Sequence, residues 1–414
     1  MMNKNEKRAL SKTTLLIALC WLVYTCSYLG KLGYNANITQ IEDAFAISHS
    51  SAGMVSTFFF FAYGIGQILN GIFCKKYNIR FAVLGSLFVS SLMNLLVGIS
   101  NNFIIIKYIW LINGAALSVL WPSLVRLLSE TLNKKDIARA VVVMGTTVAI
   151  GTFFVYALSA LFVAMGIYVM MFFVAGVLLL LIAILWMLAY PKLVELKTET
   201  SEEEGQVREE TKNRLRLDGL WIPIILLAFF AIVVNLVKDG LTTWVPMILR
   251  ETYSLPDSMS ILLTLILPIL AIFGTSVAVI LHKKIKDFVI LSIVLFGIAA
   301  VFIGLVILCL PTGWVAVTLS CFGIVSCLMS GVNNIITSMA PMYWKNRVDS
   351  GFLAGILNGF CYLGSTLSAY GLGLIADVGG WNSVLKLLFI LCALSVLFGG
   401  IYFFIKKVRS SLKK

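Results

Sequence analysis

The amino-acid sequence predicts an all-α integral membrane protein with twelve transmembrane helices in two six-helix halves. Three observations carry this prediction: the composition, a series of apolar runs, and the placement of positive charge between those runs. Hydrophobic residues make up 60% of the 414 residues and charged residues only 12%, about half the charged share of a typical soluble domain. We therefore expect the chain to lie in a lipid bilayer over most of its length.

Each apolar run is long enough to form a helix across a hydrocarbon core about 30 Å thick. None of the runs alternates between apolar and polar residues, as the strands of a transmembrane barrel do. The spanning elements are therefore predicted to be helices, which satisfy every backbone polar group inside lipid. A window of roughly 19 residues places the runs at 13–38, 50–73, 81–99, 103–128, 138–164, 167–190, 219–249, 258–282, 287–310, 313–340, 350–376 and 382–405.

Lysine and arginine residues concentrate in every second connection between the runs. Of the 32 basic residues, 26 lie in the two tails and in the connections at 75–80, 134–139, 191–218, 283–286 and 345–347. Loops rich in lysine and arginine stay on the cytoplasmic side of a membrane. The sequence thus predicts a multi-pass protein of the inner (cytoplasmic) cell membrane with both termini in the cytoplasm.

The stretch 191–218 divides the chain into a first half, 1–190, and a second half, 219–414. It is highly charged and lacks apolar periodicity, so we predict a solvated cytoplasmic linker. Patterns also repeat between the halves: Lys-x-Gly occurs at 31–33 and 238–240, and a glycine pattern begins at 145 and at 359. The offsets of 207 and 214 residues favour duplicated halves.

The composition argues against several functional classes. Nucleic-acid binding would need a basic face on a soluble domain, whereas the net charge of +13 is spread over short connections. The sequence contains no phosphate-binding glycine loop, no zinc pattern and no Ser–His pair in a span, so we predict neither an enzyme nor a cofactor or metal site. The eight scattered cysteines are expected to pack as small apolar side chains.

Two lysines stand inside apolar runs, Lys31 in the first and Lys238 in the seventh. An ammonium group at such a position costs about 2.5–3.5 kcal/mol on insertion scales, and a charge inside a membrane helix usually marks a functional site. We interpret the two lysines as facing each other across a polar cavity and binding an anion. A second interpretation stays open, in which one or both pair with a carboxylate and stabilise the fold.

Asp239 adds a carboxylate next to Lys238. Neighbouring residues of a helix point about 100° apart, so we expect Asp239 to pair with Lys31 or with another span rather than with Lys238. The three groups together carry a charge of +1, which attracts anions. Asp239 is also the carboxylate placed to carry a coupling proton, so proton symport stays open beside exchange.

Aromatic and amide side chains are expected to line the same cavity. Tyr24 and Tyr28 precede Lys31 by seven and three residues, which places them near its face of the helix. For any one aromatic residue, packing between helices is the plainer alternative. The predicted substrate-binding residues are Lys31, Lys238, Tyr24, Tyr28, Tyr63, Gln67, Tyr362, Trp121 and Asn334, with Asp239 as the coupling candidate.

Four stretches of the chain carry a family resemblance: YTCSYLGK at 24–31, LWPSLVR at 120–126, KDGLTTWVPMIL at 238–249 and the glycine-rich 355–381. They resemble the organophosphate:phosphate antiporters, a family of glycerol phosphate and hexose phosphate transporters within the major facilitator superfamily. The resemblance implies the major facilitator fold, alternating access, and a substrate site between the first and seventh spans. It also implies a small anionic substrate, with inorganic phosphate as candidate counter-substrate, moved by exchange through a monomer in the lipid bilayer.

The chain departs from that family at its phosphate-binding positions. Lys31 and Lys238 replace two arginines, and Gln67 replaces a basic residue. Arginine grips phosphate with a planar fork, whereas lysine is a compact point charge. A carboxylate or sugar acid therefore fits as well as an organophosphate. A membrane receptor that senses an anion without transporting it is the remaining interpretation.

Overall fold

The computed structural model describes residues 4–73, 76–194, 220–344, 347–348 and 350–411, which form helices and short connections without a strand. Eleven segments in these ranges are long and apolar enough to cross a membrane. The last, Leu353–Val408, has 56 residues and is broken at Gly380, whose φ of 67° is left-handed. It therefore provides two spans, which accounts for the twelve that were predicted.

The first six predicted spans form nine helices, because two spans are interrupted and a short helix follows the first. The interruption before Leu120 comes just ahead of Pro122, which lacks the N–H that a continuous helix needs. The helices are α1 (Lys4–Ala36), α2 (Ile38–Phe45), α3 (His49–Phe73), α4 (Ile79–Ile99), α5 (Phe103–Leu117), α6 (Leu120–Thr131), α7 (Lys134–Gly145), α8 (Thr147–Ala164) and α9 (Met170–Val194).

The second half begins with a 33-residue helix and ends with the long segment that contains Gly380. Of the predicted linker 191–218, the first four residues complete α9 and the rest lie outside the described residues. The helices are α10 (Trp221–Tyr253), α11 (Asp257–Leu263), α12 (Ile266–His282), α13 (Phe288–Cys309), α14 (Val315–Asn334), a π-helix (Ile335–Met339), α15 (Ala340–Tyr343) and α16 (Ser350–Ser411).

Two close glycine contacts give the internal repetition a physical counterpart. A Cβ at Gly151 of α8 would lie 2.8 Å from the carbonyl oxygen of Thr25 in α1. A Cβ at Gly364 of α16 would lie 2.1 Å from the carbonyl oxygen of Ile232 in α10. Thr25 and Ile232 are 207 residues apart, the offset that also relates the two intramembrane lysines. The same backbone contact thus recurs in both halves.

The two halves meet mainly where α3 packs on α16 and where α8 packs on α11 and α12. A Cβ at Gly53 of α3 would lie 2.3 Å from the carbonyl oxygen of Ala369, and one at Gly373 of α16 would lie 2.8 Å from that of His49. Only glycine permits such approaches. The halves are therefore tightly joined at the end of the bundle that carries α2 and the start of α3, which we call the α2 end.

Replacing Gly364 with alanine is expected to lower the Tm of the purified protein in detergent by a few degrees. The added methyl group would overlap the α10 backbone, and overpacking of this kind costs about 1–3 kcal/mol. The matched control is Gly371→Ala in the same helix, where a Cβ meets nothing within 4 Å. Equal Tm values for the two variants would contradict the close contact.

Candidate functional site

The Lys31 ammonium lies in a cage of four aromatic rings. Its Nζ is 4.2 Å from the ring centroid of Tyr63, 5.4 Å from that of Tyr28, 5.5 Å from that of Tyr362 and 6.0 Å from that of Phe60. Lys31 is only 9% exposed. Ring faces attract a desolvated cation by about 2 kcal/mol. The aromatic cage thereby stabilises a charge that would otherwise be unfavourable in the middle of a span.

The aromatic cage is built by both halves of the chain. Tyr28 comes from α1, Tyr63 from α3 and Tyr362 from α16, and the rings of Tyr63 and Tyr362 lie 4.9 Å apart. A Cβ at Gly64 would be 2.8 Å from the Cβ of Tyr362, so the absence of a side chain there lets the two helices approach. The structure thus brings three of the predicted tyrosines to Lys31.

Two further rings extend the cluster, and one cage residue is new. Tyr24 packs on Tyr28 at 5.6 Å and on Trp121 at 4.7 Å between ring centroids, so both predicted residues border the aromatic cage. Phe60 is not among the residues predicted from the sequence. It precedes Tyr63 by three residues and shares its face of α3, and this spacing is the signal in the sequence that indicates its position.

Within the described residues, no carboxylate neutralises Lys31. The ion pairs there involve other basic groups, and the Lys31 ammonium forms no described hydrogen bond. An ammonium group has three N–H donors, and buried donors are rarely left without an acceptor. Lys31 therefore offers a positive charge and unused donors at the contact between the halves.

Lys238 already has a partner within its own helix. Its Nζ lies 3.5 Å from Oδ1 of Asp239, and Oδ2 of Asp239 accepts a hydrogen bond from Oγ of Ser365 in α16. Ser365 also accepts a hydrogen bond from Asn235 at 3.3 Å, and Asn235 accepts one from Asn333 at 3.1 Å. This polar network joins α10, α14 and α16 around the Lys238–Asp239 pair.

The expectation for Asp239 was right in one part and wrong in another: Ser365 is a polar partner on another span, but Lys238 also pairs with Asp239. The two Cβ atoms point in different directions, but a lysine stem is long and flexible enough to bring its ammonium to an adjacent carboxylate. Ser365, the partner of Asp239 in α16, follows Tyr362 of the aromatic cage by three residues and so lies near its face of that helix. The Lys238–Asp239 pair therefore borders the aromatic cage of Lys31, although Asp239 forms no ion pair with Lys31.

Two other predicted residues lie in packing positions. The Gln67 amide donates to the carbonyl oxygen of Ser118 at 3.2 Å, which ties α3 to the connection between α5 and α6. Asn334 ends α14 beside the π-helix, and it is the neighbouring Asn333 whose amide joins the polar network. Among the described contacts, neither Gln67 nor Asn334 touches Lys31, so their binding role stays a prediction.

Charged contacts between the halves close the α2 end. Arg250 of α10 lies 2.7 Å from Asp43 and 3.2 Å from Asp257, so it links α2 to α11. The Asp377 carboxylate of α16 accepts the backbone N–H groups of the first two residues of α3, at 2.9 and 3.0 Å. Unpaired N–H groups at a helix N-terminus favour such an anion. The closure thus uses acidic groups from both halves.

His49 lies at the centre of this closure. Its Nδ1 is 2.6 Å from Glu42, and its Nε2 is 3.6 Å from Glu251. Its ring packs 5.2 Å from that of Trp381, whose Nε1 donates to Glu251 at 2.7 Å. No local pattern in the sequence indicates this arrangement, because residues from α2, α3, α10 and α16 meet only in the folded protein.

Comparison with known proteins shows which family the chain matches. The Major Facilitator Superfamily matches the chain over residues 20–350. The chain is also similar to the membrane sensor protein UhpC, with 27% identity over 94 residues for Escherichia coli (strain K12) and 24% over 116 residues for Salmonella typhimurium (strain LT2). These matches cover 23% and 28% of this chain and 21% and 26% of the sensor proteins, so the chain spans a minor part of their length.

Solved structures extend the likeness over nearly the whole chain. Two crystal structures of a bacterial homolog to the human lysosomal transporter Spinster, both inward-facing, align with 94% of this chain and 96% of theirs. The TM-score is 0.71 for the occupied form, at 13% identity, and 0.74 for the unoccupied form, at 14% identity. At this identity the likeness shows the fold.

Replacing Arg250 with glutamine is expected to open the α2 end, because it removes the Arg250–Asp43 ion pair between α2 and the second half, together with the Arg250–Asp257 pair beside it. Spin labels at Ala44 and Ser254 in a cysteine-free background should then report a larger population at long distance. The matched control is Lys406→Gln, which breaks the Lys406–Asp287 pair within the second half. Unchanged distances in the Arg250 variant would show that these ion pairs do not hold the closure.

Proposed function

The chain belongs to the Major Facilitator Superfamily, a family of transporters rather than enzymes, and from this premise we propose that it moves a small organic anion across the membrane. The observation that supports an anion is Lys31, a buried ammonium group without a described carboxylate partner in the contact between the halves. Alternating access of the halves 1–190 and 219–414 around Lys31 is the proposed mechanism. The substrate class includes organophosphates, carboxylates and sugar acids.

An anion at Lys31 would take up the free donors of the ammonium group. Tyr28 and Tyr63 would contact it from the first half and Tyr362 from the second, with Tyr24 and Trp121 at the border of the site. Because such an anion touches both halves, it would bind a closed conformation more tightly than either open one. That difference in affinity is what allows a substrate to shift a conformational equilibrium.

The orientation follows from the basic connections between spans. If both termini face the cytoplasm of a cell whose inner membrane holds the protein, the α2 end faces outward. The described closure by Arg250, His49 and Asp377 would then lie on the outer side, and the conformation would be inward-facing.

Exchange of one anion for another is the proposed mode, with inorganic phosphate as a candidate counter-substrate. It requires no proton carrier. Asp239 remains the coupling candidate for the alternative, proton symport, although both of its carboxylate oxygens are engaged by Lys238 and Ser365. The two modes differ in what drives uptake.

A receptor that senses an anion is the second candidate function. The curated relatives are named membrane sensor proteins, which favours this candidate, although the similarity covers a minor part of their length. The same site would bind the anion in both cases. Ligand binding without any flux through proteoliposomes would select the receptor.

Replacing Lys31 with glutamine is expected to weaken anion binding and uptake at least tenfold. The substitution removes the ion pair between Lys31 and the anion, and a buried ion pair contributes more binding free energy than the roughly 1.4 kcal/mol that corresponds to a tenfold change in affinity. Thermal stabilisation by a panel of phosphorylated sugars, sugar acids, carboxylates and inorganic phosphate measures binding, and proteoliposomes measure uptake. The control is Lys107→Gln, since Lys107 also lies on an aromatic ring, 4.8 Å from Phe103, but outside the site. Equal uptake by the Lys31 variant would refute the site.

Exchange predicts that vesicles preloaded with the transported anion or with inorganic phosphate take up labelled anion faster than empty vesicles. An imposed pH gradient should leave the rate unchanged, because no proton moves with the anion. Proton symport predicts the reverse pattern, with the response to the gradient lost in Asp239→Asn. Equal uptake rates in preloaded and empty vesicles would exclude exchange.

A further inference from the structure

We propose that Asp239 sets the charge class of the substrate, so that the site prefers organic anions with one negative charge over those with two. By pairing with Lys238, Asp239 leaves Lys31 as the charge among the described residues of the site that an anion would neutralise. This inference rests on the proposed function and narrows its substrate class. It concerns selectivity, whereas anion binding itself depends on Lys31.

The duplicated pattern makes the role of Asp239 visible. Lys31-Leu32-Gly33 in α1 corresponds to Lys238-Asp239-Gly240 in α10. The middle residue of the first copy is a buried leucine, 8% exposed, and its lysine has no described carboxylate partner. The middle residue of the second copy is an aspartate in contact with its own lysine. One of two equivalent positive charges is thus neutralised within the chain.

The Asp239 carboxylate is fixed at both oxygens. Oδ1 faces the Lys238 ammonium, and Oδ2 accepts the hydroxyl of Ser365, which Asn235 holds from its other side. These two contacts hold the carboxylate beside the aromatic cage, where it would repel a second negative charge on the ligand.

Charge balance then decides between ligand classes. A singly charged anion bound to Lys31 makes the site neutral, because Lys238 and Asp239 already cancel. A doubly charged anion leaves an excess of one negative charge in a poorly solvated place, where uncompensated charge is strongly unfavourable. The ring faces of Tyr28, Tyr63 and Tyr362 would contact the uncharged body of the ligand. The site thus fits a monocarboxylate or sugar acid better than a phosphate ester with two charges.

The test compares ligand pairs that differ in one charge: gluconate with glucarate, butyrate with succinate, and benzoate with terephthalate. Affinities are measured by thermal shift and by competition for uptake, in the wild type and in Asp239→Asn. Asparagine keeps the size of the side chain and can still accept the hydroxyl of Ser365. We expect the wild type to prefer the singly charged member of each pair that binds, and the variant to shift that preference at least tenfold toward the doubly charged member.

Two controls separate local from overall charge. Asp287→Asn changes the net charge of the protein equally and also removes the carboxylate of a Lys–Asp pair, Lys406–Asp287, so it should leave the preference unchanged. The double variant Lys238→Gln/Asp239→Asn removes both charges and should return the preference to that of the wild type. If Asp239→Asn does not fold, Lys238→Gln serves instead, and it should weaken doubly charged ligands more than singly charged ones.

The outcomes distinguish this inference from the proposed function. Lys31-dependent binding with an unchanged preference in Asp239→Asn would overturn the inference and leave anion transport standing. A wild type that prefers the doubly charged member would also overturn it. Binding of none of the six anions, with or without Lys31, would count against the proposed function itself.

Discussion

A buried ammonium group that has no carboxylate partner among the described residues is the constraint on which the rest of the arrangement depends. Lys31 can remain charged in the middle of a span only if its surroundings attract a cation, and here aromatic faces do so. Those faces come from three helices and from both halves of the chain. The close approach of α3 and α16 at Gly64 is therefore part of the same solution, because it brings Tyr362 over the ammonium.

The charged groups of the bundle fall into two zones with different physics. Near the middle of the spans, where water is scarce, the Lys31 ammonium meets aromatic rings and the Lys238 ammonium meets one carboxylate. At the α2 end, Arg250, His49 and several carboxylates form a wetter cluster in which single ion pairs are weaker. Contacts of the second kind are easier to break and remake, which suits an end that has to open.

The fold was predictable because a lipid bilayer allows few spanning structures, and long apolar helices are the ones that this sequence can form. Length and hydropathy predict the spans, and helical spacing placed Tyr24 and Tyr28 near Lys31. The side-chain contacts that the sequence could not predict depend on which helices become neighbours in the fold, or on how far a flexible side chain extends. The pairing of Lys238 with Asp239 was not expected, because the Cβ atoms of neighbouring helix residues point apart. The direction of a Cβ atom does not limit where the end of a long, flexible lysine side chain can reach. The meeting of Arg250 with Asp43 has no local pattern at all, since more than two hundred residues separate them.

The paired glycine contacts have a consequence for a working cycle. Gly151 holds α8 on α1 and Gly364 holds α16 on α10 at backbone distance, so each of these helix pairs would turn as one rigid lever. Lys31 lies on the α1–α8 pair and Tyr362 on the α10–α16 pair. In a rocking cycle the Tyr362 ring would leave the ammonium while Tyr28 and Tyr63 stay with it, so an empty carrier would lose part of the aromatic cage at each turn, at a cost in free energy. This cost would slow the conformational change of the substrate-free protein, so that the protein would change conformation mainly with substrate bound.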